Sequence, residues 1–329
     1  MAGDKTFVHD LEKDGGATLD SFMRLFCAKD VFSKFSDYNN VVMQSKDNSS
    51  EACNSLPDSN RYGDVPCFDY NRVVVKHPTE EHDYIHASYV DGFREHRKFI
   101  LTQAPLEHTI GQFWEMIWKE KVALIVSFAI IDGKKCPEYI PVNAGQQFIS
   151  EPFSIKHNGT RAVRKAYDAT MLLAQKGTEP PRKVLHLLFY RWPDKGTPTH
   201  VTEVLNFIED MNFNRDLILK EAVKDGWISD GERTPILVHG IAGVGRSGSL
   251  VVMDICQRKL DACRQFAVEP KLLDVEKTVL AVRGQRAMAV NKPEQFLFIH
   301  LSLIEYVLRK HYCNSIEDVD LSNYTHMRQ

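Results

Sequence analysis

The hydrophobic pattern of the chain alternates between short apolar runs and longer amphipathic stretches. Apolar runs at Phe99–Leu101, Ala123–Ala129, Val184–Tyr190 and Ile236–Val238 are too short for helices and read as strands of one mixed sheet. Between and after them, Ile110–Trp118, Val201–Phe213, Ser247–Phe266, Leu272–Val282 and Pro293–Lys310 carry apolar residues at helical spacing. Leu19–Phe35 reads as a helical lead-in, and polar Ser45–Asn60 as a loop. This alternation predicts an α/β fold, a central twisted mixed sheet with helices on both faces. The polar ends, 1–18 and 313–329, read as flexible segments around a single domain over 19–312.

With 329 residues and 43% hydrophobic content, the chain can bury a large core. Net charge −3 gives no bulk attraction to nucleic acid or anionic membrane. The longest apolar stretch, Val122–Ile131, is interrupted by Ser127 and is too short to span a bilayer. The N-terminus has no hydrophobic signal core, and Ala2 excludes myristoylation. Seven cysteines, Cys27, Cys53, Cys67, Cys136, Cys256, Cys263 and Cys313, are scattered and lack C-x-x-C spacing, so reduced thiols in a cytoplasmic chain without metal or cofactor are the simplest account.

The segment Ile236 to Gly248 carries the chemistry. It places a glycine-rich turn between an apolar strand and a helix expected to start near Ser247. Gly243, Gly245 and Gly248 let the backbone turn and aim successive N–H groups at one point, a nest for anions. The helix N-terminus favours the same charge, and Arg246 adds a planar fork matched to phosphate. The implied ligand is a phosphoryl group held by Ile241, Ala242, Gly243, Val244, Gly245 and Arg246. Taken alone, such a segment is also compatible with a glycine-rich turn bearing a surface arginine.

Apart from Gly240, this segment resembles the H-C-x5-R-S/T signature of the protein tyrosine phosphatases. The resemblance runs in order from about Leu19 to His311. Asn60-Arg61-Tyr62-Gly63-Asp64-Val65 is similar to the phosphotyrosine recognition loop. Tyr84–Tyr89, Phe99–Leu106 and Phe113–Trp118 match further family motifs, Trp192-Pro193-Asp194 resembles the mobile acid loop, and Gln295-Phe296 closes the last motif. In active members a cysteine thiolate attacks phosphorus, the arginine holds the phosphoryl oxygens, and the aspartate protonates the leaving tyrosine. The resemblance therefore implies catalytic positions at Gly240, Asp194 and Arg246, and substrate recognition by Tyr62, Asp64, Asn291 and Gln295.

Gly240 has no side chain to ionise or attack with, so no phosphoenzyme can form. Direct attack by water would keep only electrostatic help and a general acid worth about 10²–10⁴-fold. That falls far below the accelerations, up to about 10²¹-fold, that phosphate monoesters demand. Asn291 stands where the family positions its hydrolytic water with glutamine, Ile241 replaces a small polar residue, His86 an asparagine and Ala104 a glycine. Lys135 still fits the family lysine before Cys136. Gly63 replaces a basic residue, which weakens preference for acidic flanks. Removal of the thiolate also removes a repulsive neighbour of the dianionic ligand.

These features predict a monomeric pseudophosphatase that binds phosphotyrosine-containing proteins and shields them or competes with active phosphatases. Two alternatives stay open, an interaction scaffold with a vestigial pocket and a phosphatase whose cysteine was altered. Tyr-Ile-His-Ala-Ser-Tyr, Gln-Ala-Pro-Leu-Glu and the bare single domain also resemble the phosphatase-like proteins of parasitoid-wasp bracoviruses, which would set the chain in host-cell cytoplasm as a modulator of signalling.

Overall fold

The computed structural model describes residues 49–312 except 77, 79, 80, 195 and 267–273, together with 30, 31, 34 and 35. The expectations for 1–18 and 313–329, and for Leu272, lie outside the described residues, as does most of the predicted lead-in helix. Its four described positions are helical, and Val31 and Phe35 are buried against the core.

Nine strands form one sheet: β1 (Arg72–Val74), β2 (Tyr84–Gly92), β3 (Glu95–Thr102), β4 (Leu124–Ser127), β5 (Gln147–Ser150), β6 (Phe153–Val163), β7 (Tyr167–Lys176), β8 (Arg182–Phe189) and β9 (Ile236–His239). Their order is β1-β2-β3-β9-β4-β8-β7-β6-β5. The four central strands β3, β9, β4 and β8 run parallel, flanked on both sides by antiparallel pairs. The parallel centre is covered on both faces and so reads as unbroken apolar runs.

Besides the helical positions at 30, 31, 34 and 35, six helices accompany the sheet among the described residues: α1 (Glu51–Ser55), α2 (Ile110–Lys119), α3 (Val201–Lys224), α4 (Gly245–Gln265), α5 (Val275–Gln285) and α6 (Pro293–Arg309). Alternate strand residues face opposite cores. Phe99, Leu101, Leu124, Val126, Ile236 and Val238 join the cluster that includes α3 to α6, whereas Ile100, Ile125 and Leu237 join the cluster around α2.

Three element expectations need correction. The predicted loop Ser45–Asn60 contains α1 and a 3₁₀ turn at Pro57–Ser59, because the Asp69 carboxylate accepts from Ser49 Oγ and the Glu51 and Ala52 amides. Helix α3 continues past Phe213 to Lys224: its buried stripe runs through Met211, Arg215, Ile218, Leu219 and Ala222. Arg215 breaks the apolar pattern of that stripe, yet it is buried, bonding Glu95 and the Thr234 carbonyl. Helix α5 starts at Val275, where Asp274 caps the Lys277 amide at 2.8 Å.

Candidate functional site

Strand β9 ends at His239, and the chain turns through residues 240–244 before α4 begins at Gly245, two residues ahead of the predicted start. The loop glycines differ in purpose. Gly243 has φ +67, and a Cβ there would lie 1.9 Å from the Thr102 carbonyl oxygen, so only glycine fits. Gly245 and Gly248 do not take the left-handed conformation, which corrects their expected turning role. They supply room instead: a Cβ on Gly245 would crowd the ends of Asn291 and Gln295, and one on Gly248 would meet the Val290 amide at 2.8 Å. Ala104 N donates to the Ile241 carbonyl at 2.9 Å, which ties the loop to the segment after β3.

The first turn of α4 brings Arg246 back over this loop, where it is 9% exposed. Its Nη1 donates to the Phe128 carbonyl at 2.6 Å and to the Trp192 carbonyl at 3.3 Å, and Nη2 to Asp194 Oδ1 at 2.6 Å. Burial pulls the guanidinium below its ordinary value while Asp194 opposes the shift. Lys135 Nζ lies 3.3 Å from the other Asp194 oxygen. Gly240 sits in front of this arginine. A Cβ built on it would stand 3.7 Å from Arg246 Nε and Nη2, an ordinary contact.

The predicted site residues converge on one cleft of about 720 Å³, whose wall includes Tyr62, Asp64, Asp194, Gly240 through Ser247, Asn291 and Gln295. Tyr62 is 43% exposed at its rim. Gln295 is buried, and its Oε1 has no partner among the described residues. An arginine, a helix start and backbone amides around open space suit a doubly charged oxyanion.

The cleft is braced from behind by Arg286, which the sequence reading passed over, together with His86 and Gln103. Arg286, fully buried, donates through Nε to the Gly243 carbonyl at 3.2 Å and through Nη2 to the Ala242 carbonyl at 3.1 Å. Engaging those carbonyls from below leaves the loop amides to face the cleft. Arg286 Nη2 also donates to His86 Nδ1 at 3.0 Å, so His86 Nε2 carries the proton and donates to the Val65 carbonyl at 2.9 Å. Burial, reinforced by Arg286, pushes the His86 pKa down to about 3. The recognition segment is held further by Gln103, which accepts from the Arg61 amide at 2.9 Å and donates to the Ser59 carbonyl at 2.9 Å. Nothing local in sequence marks Arg286, because its side-chain partners come from two distant segments, β2 and the loop after β9.

His239, at the end of β9, belongs to a buried chain with Tyr139 and His186. Tyr139 Oη lies 2.7 Å from His239 Nε2 and 2.8 Å from His186 Nε2, and His239 Nδ1 lies 3.2 Å from the Gly240 carbonyl. Burial lowers the His239 pKa to about 4 and that of His186 to about 3, so both rings are neutral braces.

Among the described residues, no cysteine lines the cleft. Burial pushes the Cys136 and Cys256 thiols up to about 12 and raises Cys263, the reverse of what a nucleophile needs. Cys27 and Cys313 lie outside the described residues. Among the described residues, no group of three His, Cys, Asp or Glu could hold a metal ion, and no helix is long and apolar enough to cross a membrane.

A family model for protein-tyrosine phosphatase matches residues 56–305. Human tyrosine-protein phosphatase non-receptor type 9 is 31% identical over 256 residues, covering 76% of this chain and 42% of its own length. The chain thus spans less than half of that relative. Two proteins of Microplitis demolitor bracovirus match over most of their lengths. Tyrosine phosphatase H2 is 31% identical over 75% of this chain and 74% of its own. Tyrosine phosphatase-like protein J1 is 32% identical over 76% and 81%. The crystal structure of the catalytic domain of human protein tyrosine phosphatase non-receptor type 18 superposes with a TM-score of 0.72 at 24% identity, covering 84% of this chain and 96% of that domain. That likeness speaks for the fold alone.

Proposed function

The chain belongs to the protein-tyrosine phosphatase family, and from that premise we propose that it is a pseudophosphatase, a phosphotyrosine-binding protein that shields its targets or competes with active phosphatases for them. The observation that carries this reading is Gly240 itself. The position facing the Arg246 guanidinium has no side chain, while the arginine, the loop amides, the helix start and Tyr62 surround an open cleft. Such a cleft can hold a phosphoryl group but offers no thiolate to attack it. Asn291 leaves the hydrolytic step without the family's glutamine. The protein works as a monomer in the cytoplasm, in a host cell if it is viral like the bracovirus relatives.

Calorimetric titration with a phosphotyrosine peptide and its unphosphorylated counterpart tests the reading, with Arg246→Met as control. Binding that needs both the phosphate and Arg246 is the expected result. Absence of phosphate-dependent binding would contradict it.

One observation favours the scaffold alternative. Asp194 already holds Arg246, so a guanidinium engaged by its own carboxylate would leave partners to dock elsewhere. The ordinary contacts a Cβ would make at Gly240 likewise suit a cysteine at that position in an ancestral or unaltered chain.

A further inference from the structure

Ser247 is completely buried in the first turn of α4, on the wall of the cleft, and its Oγ has no hydrogen-bond partner among the described residues. A buried hydroxyl left without a partner destabilises the folded chain. The usual remedy for a helical serine is a bond to the carbonyl four residues back, and Ser249 makes it, donating to the Gly245 carbonyl at 2.9 Å. For Ser247 that carbonyl belongs to Gly243, whose backbone is left-handed and whose oxygen accepts from Arg286 below the loop.

We propose that the Ser247 hydroxyl is a direct ligand of the phosphoryl group bound in this cleft, donating to an oxygen seated in the space that Gly240 leaves open. The inference rests on the phosphotyrosine-binding reading above. A side chain at 240 would begin 3.7 Å from Arg246 Nε and Nη2, so the vacated space opens directly onto the guanidinium. The cleft wall carries donors, Arg246, the loop amides and the Ser247 hydroxyl, beside the Asp194 carboxylate that Arg246 Nη2 holds. An anionic oxygen satisfies several of them together, and the N-terminus of α4 adds its favourable potential. Without a β-carbon and sulfur in the way, the phosphoryl group can sit deeper than a thiolate would allow. The ligand class is a dianionic tetrahedral oxyanion, either a phosphate monoester or free phosphate.

The test is a calorimetric double-mutant cycle on the full chain, titrated separately with a phosphotyrosine peptide and with inorganic phosphate. Ser247→Ala is expected to weaken both ligands about tenfold, the size of one charge-assisted hydrogen bond. In a Gly240→Ser background, the added hydroxyl fills the space and takes the Ser247 hydrogen bond, and the same substitution is expected to change affinity less than twofold. Thermal melting of Ser247→Ala at or above that of the unsubstituted chain confirms that the fold is intact, because the substitution removes an unpaired buried hydroxyl. Equal losses in both backgrounds, or no loss in the first, would overturn the inference while leaving phosphate- and Arg246-dependent binding standing. A loss for inorganic phosphate alone would overturn the contact to phosphotyrosine and assign the seat to free phosphate. Failure of the unsubstituted chain to bind either ligand would overturn both readings.

Discussion

The Asp194 carboxylate lies 2.6 Å from Arg246 Nη2 and 3.3 Å from Lys135 Nζ, so the guanidinium assigned to phosphate already holds an anion. A phosphoryl group competes with that carboxylate for Nη2. Asp194 is 46% exposed, and pairs so placed contribute about 0–1 kcal/mol, which limits the competition to about fivefold. Asp194→Asn is therefore expected to tighten phosphopeptide binding by up to about fivefold in calorimetry, with phosphate release unchanged. Weaker binding, or a large change in hydrolysis, would show that the carboxylate assists the ligand.

Gly240→Cys is expected to fold normally, because the added Cβ makes only ordinary contacts with Arg246. The new thiol would face the loop amides and Arg246, which favour its ionised form. Turnover of an aryl phosphate is expected to become measurable but weak, since Asn291 and Ile241 remain. Activity at the level of the active relatives would show that those two residues matter little.

Gly243→Ala should be the most damaging single change in the loop. It combines a left-handed φ with a Cβ 1.9 Å from the Thr102 carbonyl oxygen, so the loop must move away from β3. A loss of about 3 kcal/mol or more is expected in denaturant unfolding, together with loss of phosphopeptide binding. A neutral effect would mean that the loop is not fixed against β3.

Acid should loosen the brace behind the cleft. His86 titrates near 6.5 in the unfolded chain and at about 3 when buried beside Arg286. Between those values the unfolded chain binds the extra proton, so stability is full above about pH 6.5 and declines as pH falls towards 3. The slope for this one group is about 1.4 kcal/mol per pH unit. His186 and His239 act with the same sign. His86→Asn keeps an acceptor for Arg286 but no titrating ring, and is expected to shallow the acid limb of a denaturant-measured stability profile. An unchanged limb would remove His86 from the explanation.

The parallel centre of the sheet was legible because its strands are apolar on both faces, and the loop after β9 because glycine, arginine and a helix start follow one another directly. Strands β5, β6 and β7 were not, since only alternate residues of β6 such as Phe153 and Ile155 are buried and no continuous apolar run marks them. The second half of α3 was hidden by Arg215, a charged residue on the buried stripe that is legible only once Glu95 is beside it. The same holds for Arg286: sequence shows a cation near the C-terminus of α5, and only the fold brings His86, Ser88, Ala242 and Gly243 to it. Tyr62, Asp64, Asp194, Asn291 and Gln295 were found through motif order, and the structure sets all of them around the loop.

The most direct test of binding without turnover is phosphorus NMR of the protein with a stoichiometric phosphotyrosine peptide, followed for hours beside the Arg246→Met variant. A shifted phosphotyrosine resonance that persists, with no inorganic phosphate growing in and no shift in the variant, is the predicted result. Steady release of inorganic phosphate, or a resonance that never leaves its free position, would contradict it.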